Sequence, residues 1–413
     1  METVNAYLMQ RKRQHLLYFT AEQWPTFRPD VLALFGKYLP RHGVTCDLVT
    51  DLAVQSESPV AWGGGQAIVC KMPRNRIAQY LVKMAHNLKT LWQFDASQYD
   101  AIQVRDMSVT ALFALAVARI KGLPFYYWLS YPQSEGQIDR AKKRGYRAGM
   151  RYFFPLLQGY LGQWLLYRVV LKQADHVFVQ SRQMQLDLVR QGIALTQMTP
   201  VPMGVDTEVV TLEHILPSDD TRLVGKRVLI YLGTMDPVRQ LEVLFEMLVI
   251  VKVQIPNVLL VLAGDVEDAA HRAWLRAQAE AAGVSDHVQW NGWQAAAQAW
   301  RYVRVAELGL SPVPRSYLLD MGSPTKAVEY MALGVPVIAN DNPDQQQVIH
   351  ESGAGLCVPY TAEQFAQAAI QLLQSPHLTQ AMTEKGRAYV LAKRGYDRIS
   401  SEVANTYHHI GRK

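Results

Sequence analysis

Short apolar runs alternate with amphipathic helical stretches along almost the whole chain. The runs lie at 15–20, 45–49, 101–104, 125–129 and 176–180 in the first half, and at 227–232, 258–263, 287–290, 308–311, 335–339 and 356–359 in the second. Helical stretches such as 30–39 and 108–120 separate them. Buried parallel strands joined by crossover helices produce this pattern. We therefore predict an α/β protein with two Rossmann-like, doubly wound domains, each built on a mostly parallel sheet.

Proline and glycine cluster at 199–210, which places the domain boundary there. We expect an N-terminal domain over 1–199 and a C-terminal domain over 200–393. The tail, 394–413, forms a last helix over 399–410 that returns to the first domain. Ligands of doubly wound sheets bind beyond the carboxyl ends of the strands, so a cleft between two such domains is the expected active site.

The stretch GSPTKAVEYMALGVPVIANDN, residues 322–342, predicts a short helix that runs into a valine-rich strand. Ser323 is suited to cap this helix, Pro324 to occupy its first position, and Gly334 to end it. A helix that begins this way presents free N–H groups and a positive dipole end, which suits a phosphate. The alternative is an ordinary helix under a sheet, in which Lys326 and Glu329 form a salt bridge three residues apart.

The composition is that of a folded protein of a reducing compartment. Of the 413 residues, 49% are hydrophobic and 19% are charged, and the three cysteines show no paired or metal-ligand spacing. The basic N-terminus is followed by a strand pattern instead of a signal-peptide core. These features indicate a cytoplasmic protein with a sizeable core.

Charge is distributed unevenly between the two halves. Residues 1–199 contain 24 Lys and Arg against 13 Asp and Glu, whereas the remaining residues contain 18 against 23. No acidic residue occurs at 140–174, where basic residues adjoin Phe, Tyr, Leu and Trp. No nucleic-acid recognition motif accompanies them. We therefore expect peripheral attachment to an anionic membrane surface, through Lys142, Lys143, Arg144, Arg147, Arg151 and Trp164.

Two other interpretations of this basic, aromatic stretch remain open. It is also compatible with a core helix that has a solvated basic flank. Residues 152–171 approach the length of a membrane span, but Pro155, Gln158, Gln163 and Arg168 make the segment polar for one.

The sequence lacks the motifs of several common enzyme classes. No glycine-rich dinucleotide fingerprint follows a strand, and no phosphate loop, HExxH zinc helix or GxSxG elbow occurs. The eleven histidines lack metal-ligand spacing, and no DxD motif is present. We therefore expect neither a metal nor a cofactor.

Six segments, in order, resemble the retaining glycosyltransferases of family four, which have the GT-B fold. They are ADHVFVQS, VPMGVDTEVV, YLGTMDPVRQLEVL, LLVLAGD, HVQWNGW and SPTKAVEYMALGVPVIAND. Each segment alone is weak evidence for the resemblance, but six segments in the right order and spacing are strong evidence. The resemblance covers nearly all of the second domain and the ends of the first. It implies a nucleotide-sugar donor held by the second domain and an acceptor on the first.

The resemblance also assigns residues. Glu329 matches the acid that holds the ribose hydroxyls, and Pro324, Thr325 and Lys326 match the turn that meets the diphosphate, with Ser323 before it. Gly233 and Arg239 match the family's diphosphate-binding glycine and lysine. Trp290 to Gly292, with Asn291 between them, match the base-binding segment. Arg239 and Lys326 are the residues expected to act in catalysis.

Three departures from the family pattern concern the sugar and phosphate contacts. The first acid of the family's pair falls on Met321, whose neighbour Asp320 takes its place if the loop is shifted by one residue; otherwise Lys326 meets the sugar. The family's arginine after the glycine is Thr234. The first domain has no obvious histidine at 124–136, where many relatives have one.

The expected function is retaining, metal-independent hexosyl transfer from a nucleotide-diphosphate sugar. The acceptor is a membrane-linked saccharide or lipid in cell-surface polysaccharide biosynthesis, and the enzyme sits at the cytoplasmic face of the membrane. Two alternatives stay open: a sugar-nucleotide epimerase of GT-B fold, and a degenerate protein that binds nucleotide sugar without transferring it.

Overall fold

The computed structural model describes residues 13–53 and 61–411. Contacts divide the chain into two compact units, Met1–Pro202 with Tyr396–Lys413, and Met203–Gly395. Each unit contains one parallel sheet covered by helices.

The sheet of the first unit has seven parallel strands in the order β3-β2-β1-β4-β5-β6-β7. The strands are β1 Gln14–Phe19, β2 Val44–Asp51, β3 Ala67–Cys70, β4 Ala101–Arg105, β5 Phe125–Leu129, β6 His176–Val179 and β7 Met198–Pro200. The central strands β4, β5 and β6 are buried along their whole length, which explains why their sequences are largely apolar.

Seven helices of nine residues or more accompany this sheet in the described part of the first unit. They are α1 Asp30–Tyr38, α2 Arg76–Gln93, α3 Ser108–Lys121, α4 Gln133–Arg144, α5 Met150–Leu165, α6 Arg182–Arg190 and, at the end of the chain, α15 Tyr396–Ile410. The first is a π-helix, and a π-helical turn, Leu166–Val170, continues α5. The last helix packs on the sheet through Tyr407, whose ring lies 4.7 Å from that of Phe178.

The sheet of the second unit has six parallel strands in the order β10-β9-β8-β11-β12-β13. The strands are β8 Arg227–Leu232, β9 Val258–Ala263, β10 Val288–Gly292, β11 Leu308–Ser311, β12 Val337–Asn340 and β13 Gly355–Val358. Fully buried aliphatic and aromatic side chains cover both faces of this sheet.

Eight α-helices connect and flank these strands. They are α7 Glu242–Gln254, α8 Ala269–Ala281, α9 Ala296–Val303, α10 Tyr317–Asp320, α11 Thr325–Ala332, α12 Pro343–Ser352, α13 Ala362–Leu373 and α14 Pro376–Tyr389. The prediction of an α/β protein with two parallel sheets is confirmed.

The sequence pattern missed two strands and shifted others. β3 and β7 lie at the two edges of their sheet and have only four and three residues, which is too short for a clear strand pattern. The strand expected over 335–339 begins two residues later, at Val337, because the left-handed turn at Gly334 takes residues to complete.

Candidate active site

The order of the second sheet reverses between β8 and β11, which are neighbours in the sheet but not in the chain. A doubly wound sheet opens a crevice at such a point, beyond the carboxyl ends of its strands. Gly233 follows β8 at this edge, and the segment after β11 leads into helix α11. The residues singled out by the sequence, Gly233, Lys326 and Glu329, therefore lie around one crevice of the second unit.

The turn after β8 is built by two glycines that approach each other closely. Gly233 and Gly264 have φ values of +126° and +144°, in the region that only glycine adopts readily. A Cβ atom on Gly264 would lie 2.0 Å from the Gly233 carbonyl oxygen. The Tyr231 hydroxyl also donates a hydrogen bond of 2.7 Å to the Thr234 carbonyl oxygen. The backbone of this turn is thus fixed before any ligand binds.

Lys326 lies against this turn. Its Nζ atom is 5.2 Å from the centre of the Tyr231 ring, and a Cβ atom on Gly233 would stand 3.0 Å from Lys326 Cε. Within the described parts of the chain, no carboxylate oxygen lies within 4 Å of this amine, Glu329 included. Burial in the first place, and then the charge of Arg239, lower the pKa of Lys326 to about 7. The simple salt bridge between Lys326 and Glu329 does not form.

Tyr330 fixes helix α11 to the sheet, and the sequence analysis missed it. Its hydroxyl accepts a hydrogen bond from Leu232 N at 2.8 Å and lies 3.3 Å from the Leu310 carbonyl oxygen. Its ring covers Gly309, where any Cβ atom would collide with it. Tyr330 therefore joins the ends of β8 and β11, and a glycine in the middle of a buried strand was the available signal.

Glu329 is partly buried on the same helix, one turn after Lys326. Burial raises the pKa of the Glu329 carboxyl, while Lys326 and a hydrogen bond from Trp300 act in the opposite direction. A carboxylate in this environment gains from hydroxyl donors, such as those of a sugar.

The start of helix α11 differs from the prediction. Pro324 is the N-cap residue and makes no side-chain cap, so Thr325 is the first helical residue. Ser323 does not cap the helix, and this expectation was wrong. Its hydroxyl donates to Asp344 Oδ2 at 2.8 Å and accepts from Met203 N at 2.9 Å. The first N–H groups of α11 are thereby left without a side-chain acceptor.

Arg239 lies on the turn that follows Gly233, within a short 3₁₀ helix. Its backbone carbonyl accepts a hydrogen bond of 3.1 Å from the Tyr360 hydroxyl, which holds this turn against the start of α13. The Arg239 Nε atom is buried and has no hydrogen-bond partner in the described structure. A guanidinium with unused donors beside Lys326 forms a cationic pair suited to an anion.

The loop after β11 carries a methionine at position 321, where the family pattern has its first acid. Met321 has no carboxylate, and its side chain is completely buried. Asp320 is held by Arg315 through two contacts, Nε–Oδ1 at 2.9 Å and Nη2–Oδ2 at 3.0 Å. Arg315 also contacts Asp341 Oδ2 at 3.0 Å. Asp320 is therefore one member of a charged group that sequence reasoning missed, although Arg315 lies in the loop that follows β11.

The expected base-binding turn lies at the carboxyl end of β10. Gly292 has a φ of +68° and pairs with Gly264, which brings this turn beside the one after β9. The Asn291 Oδ1 atom accepts a hydrogen bond of 2.9 Å from Gln289 Nε2. The Asn291 Nδ2 atom is buried and, in the described structure, without an acceptor. The turn thus has one unused donor near the site.

The basic residues of the first unit lie on a helical hairpin made by α4 and α5. Lys142, Lys143, Arg144, Arg147 and Arg151 are all exposed, and Lys143 pairs with Asp139 at 2.9 Å. Helix α5 carries an apolar stripe on its surface, whose members are each more than half exposed: Met150, Phe153, Phe154, Leu157, Leu161 and Trp164. Their spacing of three or four residues places them on one side of the helix.

Close contacts locate this hairpin relative to its sheet. A Cβ atom on Gly162 would lie 2.7 Å from Ser134 Oγ and 3.8 Å from Ser108 Oγ. Ser134 and Ser108 belong to the first turns of helices that start at the carboxyl ends of β5 and β4. Gly162 is therefore level with this edge. The chain after Gly162 leads back to the start of β6, so the segment from Met150 to Gly162 lies on the other side of this edge and is roughly 18 Å long, at 1.5 Å per residue.

Asp106 is a further residue at this edge that the sequence analysis did not single out. It has a φ of +55°, which is uncommon outside glycine, and follows β4 directly. Its Oδ1 atom accepts hydrogen bonds from Ser130 N at 2.8 Å and Tyr131 N at 3.3 Å. Burial raises the pKa of the Asp106 carboxyl. Asp106 thus joins the carboxyl ends of β4 and β5.

The described residues contain neither a membrane-spanning helix nor a cluster of metal ligands. None of the described helices is long and apolar enough to span a bilayer. Within the same residues, no group of three or more His, Cys, Asp or Glu side chains is arranged to hold a metal ion.

Comparison with known proteins adds the family. Residues 218–389 match the family model "Glycosyl transferases group 1", and residues 30–204 match "Glycosyl transferase 4-like domain". A search of curated proteins by sequence found no match.

Solved structures share the fold at low sequence identity. HepE from Anabaena, in complex with UDP, is 16% identical with a TM-score of 0.67, over 96% of this chain and 100% of that one. Sucrose-phosphate synthase from Thermosynechococcus elongatus is 17% identical with a TM-score of 0.71, over 96% and 99%.

WaaG, described as a glycosyltransferase involved in lipopolysaccharide biosynthesis, is 15% identical with a TM-score of 0.68, over 94% and 99%. These similarities identify the two sheets as the two domains of a GT-B fold. With two glycosyltransferase family models that together cover most of its length, the chain belongs to the group 1 glycosyltransferases.

Proposed function

We propose that this glycosyltransferase moves a hexosyl group from a nucleotide-diphosphate sugar to an acceptor held at a membrane, with retention of configuration and without a metal ion. The observation that carries the donor half of the proposal is the position of Lys326. A partly buried amine without a carboxylate partner lies between the Gly233 turn and the start of α11, next to Arg239.

The diphosphate is the donor group that this arrangement fits. Lys326, Arg239 and the free N–H groups of α11 all supply positive potential to the crevice between β8 and β11. Negative charge on the diphosphate grows as the glycosidic bond breaks, so these groups stabilise the transition state more than the ground state. HepE, which shares the fold, has been solved with UDP-glucose, and this supports a nucleotide sugar as donor.

Glu329 and the β10 turn complete the proposed donor site. Glu329, one turn along α11, accepts hydrogen bonds from the ribose hydroxyls, and Asn291 and Gly292 contact the base. Gly233, Thr234, Pro324 and Thr325 provide the backbone that approaches the phosphates. Ser323 acts indirectly, since its side chain is occupied by Asp344 and holds the loop before α11 in place.

Retention of configuration is proposed from the family resemblance and from the chemistry of same-face attack. In that mechanism, the leaving phosphate and its cations assist the acceptor, and the protein supplies no nucleophile. Position 321, where the family pattern has an acid, carries a buried methionine, which is consistent with a mechanism that needs no carboxylate there. We propose that the group formed by Arg315, Asp320 and Asp341 contacts the donor sugar instead.

The acceptor half of the proposal depends on the α4–α5 hairpin. Its apolar stripe and its basic residues project beyond the sheet edge at which a doubly wound domain binds ligands. Aromatic and aliphatic side chains flanked by Lys and Arg suit the headgroup region of an anionic leaflet. A saccharide on a lipid carrier or a glycolipid would then be presented to this edge. The proposed role is cell-surface polysaccharide assembly at the cytoplasmic face of the membrane.

A binding screen followed by product analysis tests the donor and the stereochemistry. Thermal shifts with the UDP, GDP and ADP forms of glucose identify the donor, since a ligand at a hundred times its Kd stabilises by about 2.7 kcal/mol. Transfer to a lipid-linked saccharide in liposomes is then followed by NMR of the new anomeric centre. A product of inverted configuration would contradict retention. Binding with neither transfer nor donor hydrolysis would favour a protein that only binds nucleotide sugar.

A further inference from the structure

We propose that binding of the nucleotide-sugar donor is coupled to uptake of one proton by the Lys326 amine, so that donor affinity falls as the pH rises above neutrality. This inference rests on the proposed function, because it takes the donor diphosphate as the ligand of Lys326. It adds a property of the site that the chemistry of sugar transfer does not require.

The free amine of Lys326 has no close ion-pair partner in the described structure. Its Nζ atom faces the Tyr231 ring of β8, a contact that weakly favours the charged amine, and its stem lies against Gly233. The turn after β8 contributes two charged groups of opposite sign, Arg239 and Asp236, and helix α11 contributes Glu329. Lys326 is also the second residue of α11, where the helix dipole is positive. No carboxylate of the described chain comes within 4 Å to offset these effects.

Burial, reinforced by Arg239, lowers the pKa of Lys326 to about 7. In the free enzyme at neutral pH, the amine is therefore neutral in a large share of the molecules. A bound diphosphate diester brings two negative charges to the amine. Opposite charges at this range favour the protonated form of a lysine, typically by about one to three pKa units.

The sign of the pH dependence follows from a pKa that rises on binding. Below the pKa of the free enzyme, Lys326 is already protonated, so the donor binds tightly and takes up no proton. Between the two pKa values, each bound donor takes up close to one proton and affinity falls about tenfold for each pH unit. Above the pKa of the complex, affinity levels off at its lowest value.

UDP-glucose is the appropriate probe for this test. The terminal phosphate of UDP itself loses a proton near pH 6, as phosphate monoesters do, and this would mimic the effect. The phosphates of UDP-glucose are diesters and keep a constant charge over the same range. Any proton that is taken up when UDP-glucose binds is therefore taken up by the protein.

Calorimetry in two buffers with different ionisation enthalpies counts the protons directly. For the wild-type protein we expect almost no uptake at pH 6, uptake approaching one proton at pH 8, and about tenfold weaker binding at pH 8. Lys326→Arg keeps a permanent charge and should bind with no uptake at either pH. Lys385→Arg, at an exposed lysine on α14, should match the wild type. Uptake that persists in Lys326→Arg, or wild-type binding without uptake at pH 8, would overturn the proposal.

Titration of the free protein provides a check without ligand. The Lys326 13Cε resonance, assigned by its loss in Lys326→Arg, should titrate with a midpoint near pH 7. A midpoint above pH 9 would overturn the coupling. If UDP-, GDP- and ADP-glucose all fail to bind, the proposed donor falls and the coupling with it, whereas binding without proton uptake overturns the coupling alone.

Discussion

Gly233 and Lys326 are in direct contact: a Cβ atom at position 233 would stand 3.0 Å from Lys326 Cε and 3.3 Å from Nζ. The two residues lie almost a hundred positions apart in the chain. They meet because β8 and β11 are adjacent strands and α11 follows β11. The absence of a side chain on Gly233 leaves room for the amine beside the backbone that would meet a phosphate.

Gly233→Ala should therefore weaken donor binding at least tenfold. The new methyl group would push the lysine stem away and would strain a backbone with a φ of +126°. Calorimetry with UDP-glucose measures the loss. Gly225→Ala is the matched control, because Gly225 also has a positive φ, +72°, but nothing lies within 4 Å of its Cβ position. Equal loss of affinity in both variants would show that contact with Lys326 is not the cause.

Glu329→Ala should lower donor affinity by about 1.5–3 kcal/mol, through the loss of hydrogen bonds to a charged acceptor. The free energy of unfolding of the unliganded protein should fall by about 1–3 kcal/mol, because the hydrogen bond from Trp300 to the carboxylate is lost, although no ion pair to Lys326 is. The measurements are calorimetry and urea unfolding. Glu384→Ala, at an exposed acid on α14, is the control. Unchanged affinity in Glu329→Ala would remove Glu329 from the donor site.

Arg239→Ala should reduce turnover more than it reduces donor affinity. Its charge acts on a leaving group whose negative charge grows in the transition state, and such interactions are expressed in kcat. Arg239→Lys should retain much of the activity, since the charge remains. Steady-state kinetics with saturating donor separates kcat from KM. If both variants turn over at the wild-type rate, Arg239 does not face the diphosphate.

Arg394→Met should destabilise the second unit by about 3–5 kcal/mol, because it leaves a buried carboxylate without its partner. Arg394 Nη2 lies 2.8 Å from Asp344 Oδ1, and both side chains are about 95% buried. The second oxygen of Asp344 accepts from Ser323, so the loop before α11 depends on this pair. Urea unfolding measures the loss. Arg398→Ala, which breaks an exposed pair with Glu402, should cost less than about 1 kcal/mol.

Replacing Lys142, Lys143 and Arg144 with glutamate should release the protein from liposomes that contain anionic lipid. Each basic residue near such a surface contributes about 1 kcal/mol. Donor affinity should stay unchanged, because these residues lie in the first unit. Sedimentation with anionic and neutral liposomes, at low and high salt, is the measurement.

Two further variants separate charge from apolar insertion on the hairpin. Phe154→Ser with Leu157→Ser should weaken sedimentation at both low and high salt, since insertion is insensitive to screening. Lys226→Glu with Lys385→Glu changes exposed charges of the second unit and should leave sedimentation unaltered. Equal sedimentation of all variants would reject the hairpin as the membrane contact.

The sequence by itself determined the fold class and the elements around the donor site. Apolar runs of strand length separated by helical stretches are sufficient for parallel sheets, because a strand buried on both faces must be apolar throughout. Gly334 with a positive φ, and the helix before it, follow equally from local chemistry. Edge strands such as β3 were missed because they are short, and the four apolar residues of β3 follow a glycine run that is typical of a loop.

Only the tertiary structure decided what several of these residues do. Ser323 is a residue type that caps helices, but its hydroxyl instead donates to Asp344 and accepts from Met203 N, which lie 21 and 120 positions away in the chain. Met321 stands where an acid was expected and is buried, while Arg315 holds Asp320. The pKa of Lys326 depends on burial under the β8 turn. Such properties depend on which distant groups share a small volume, and local sequence does not contain that information.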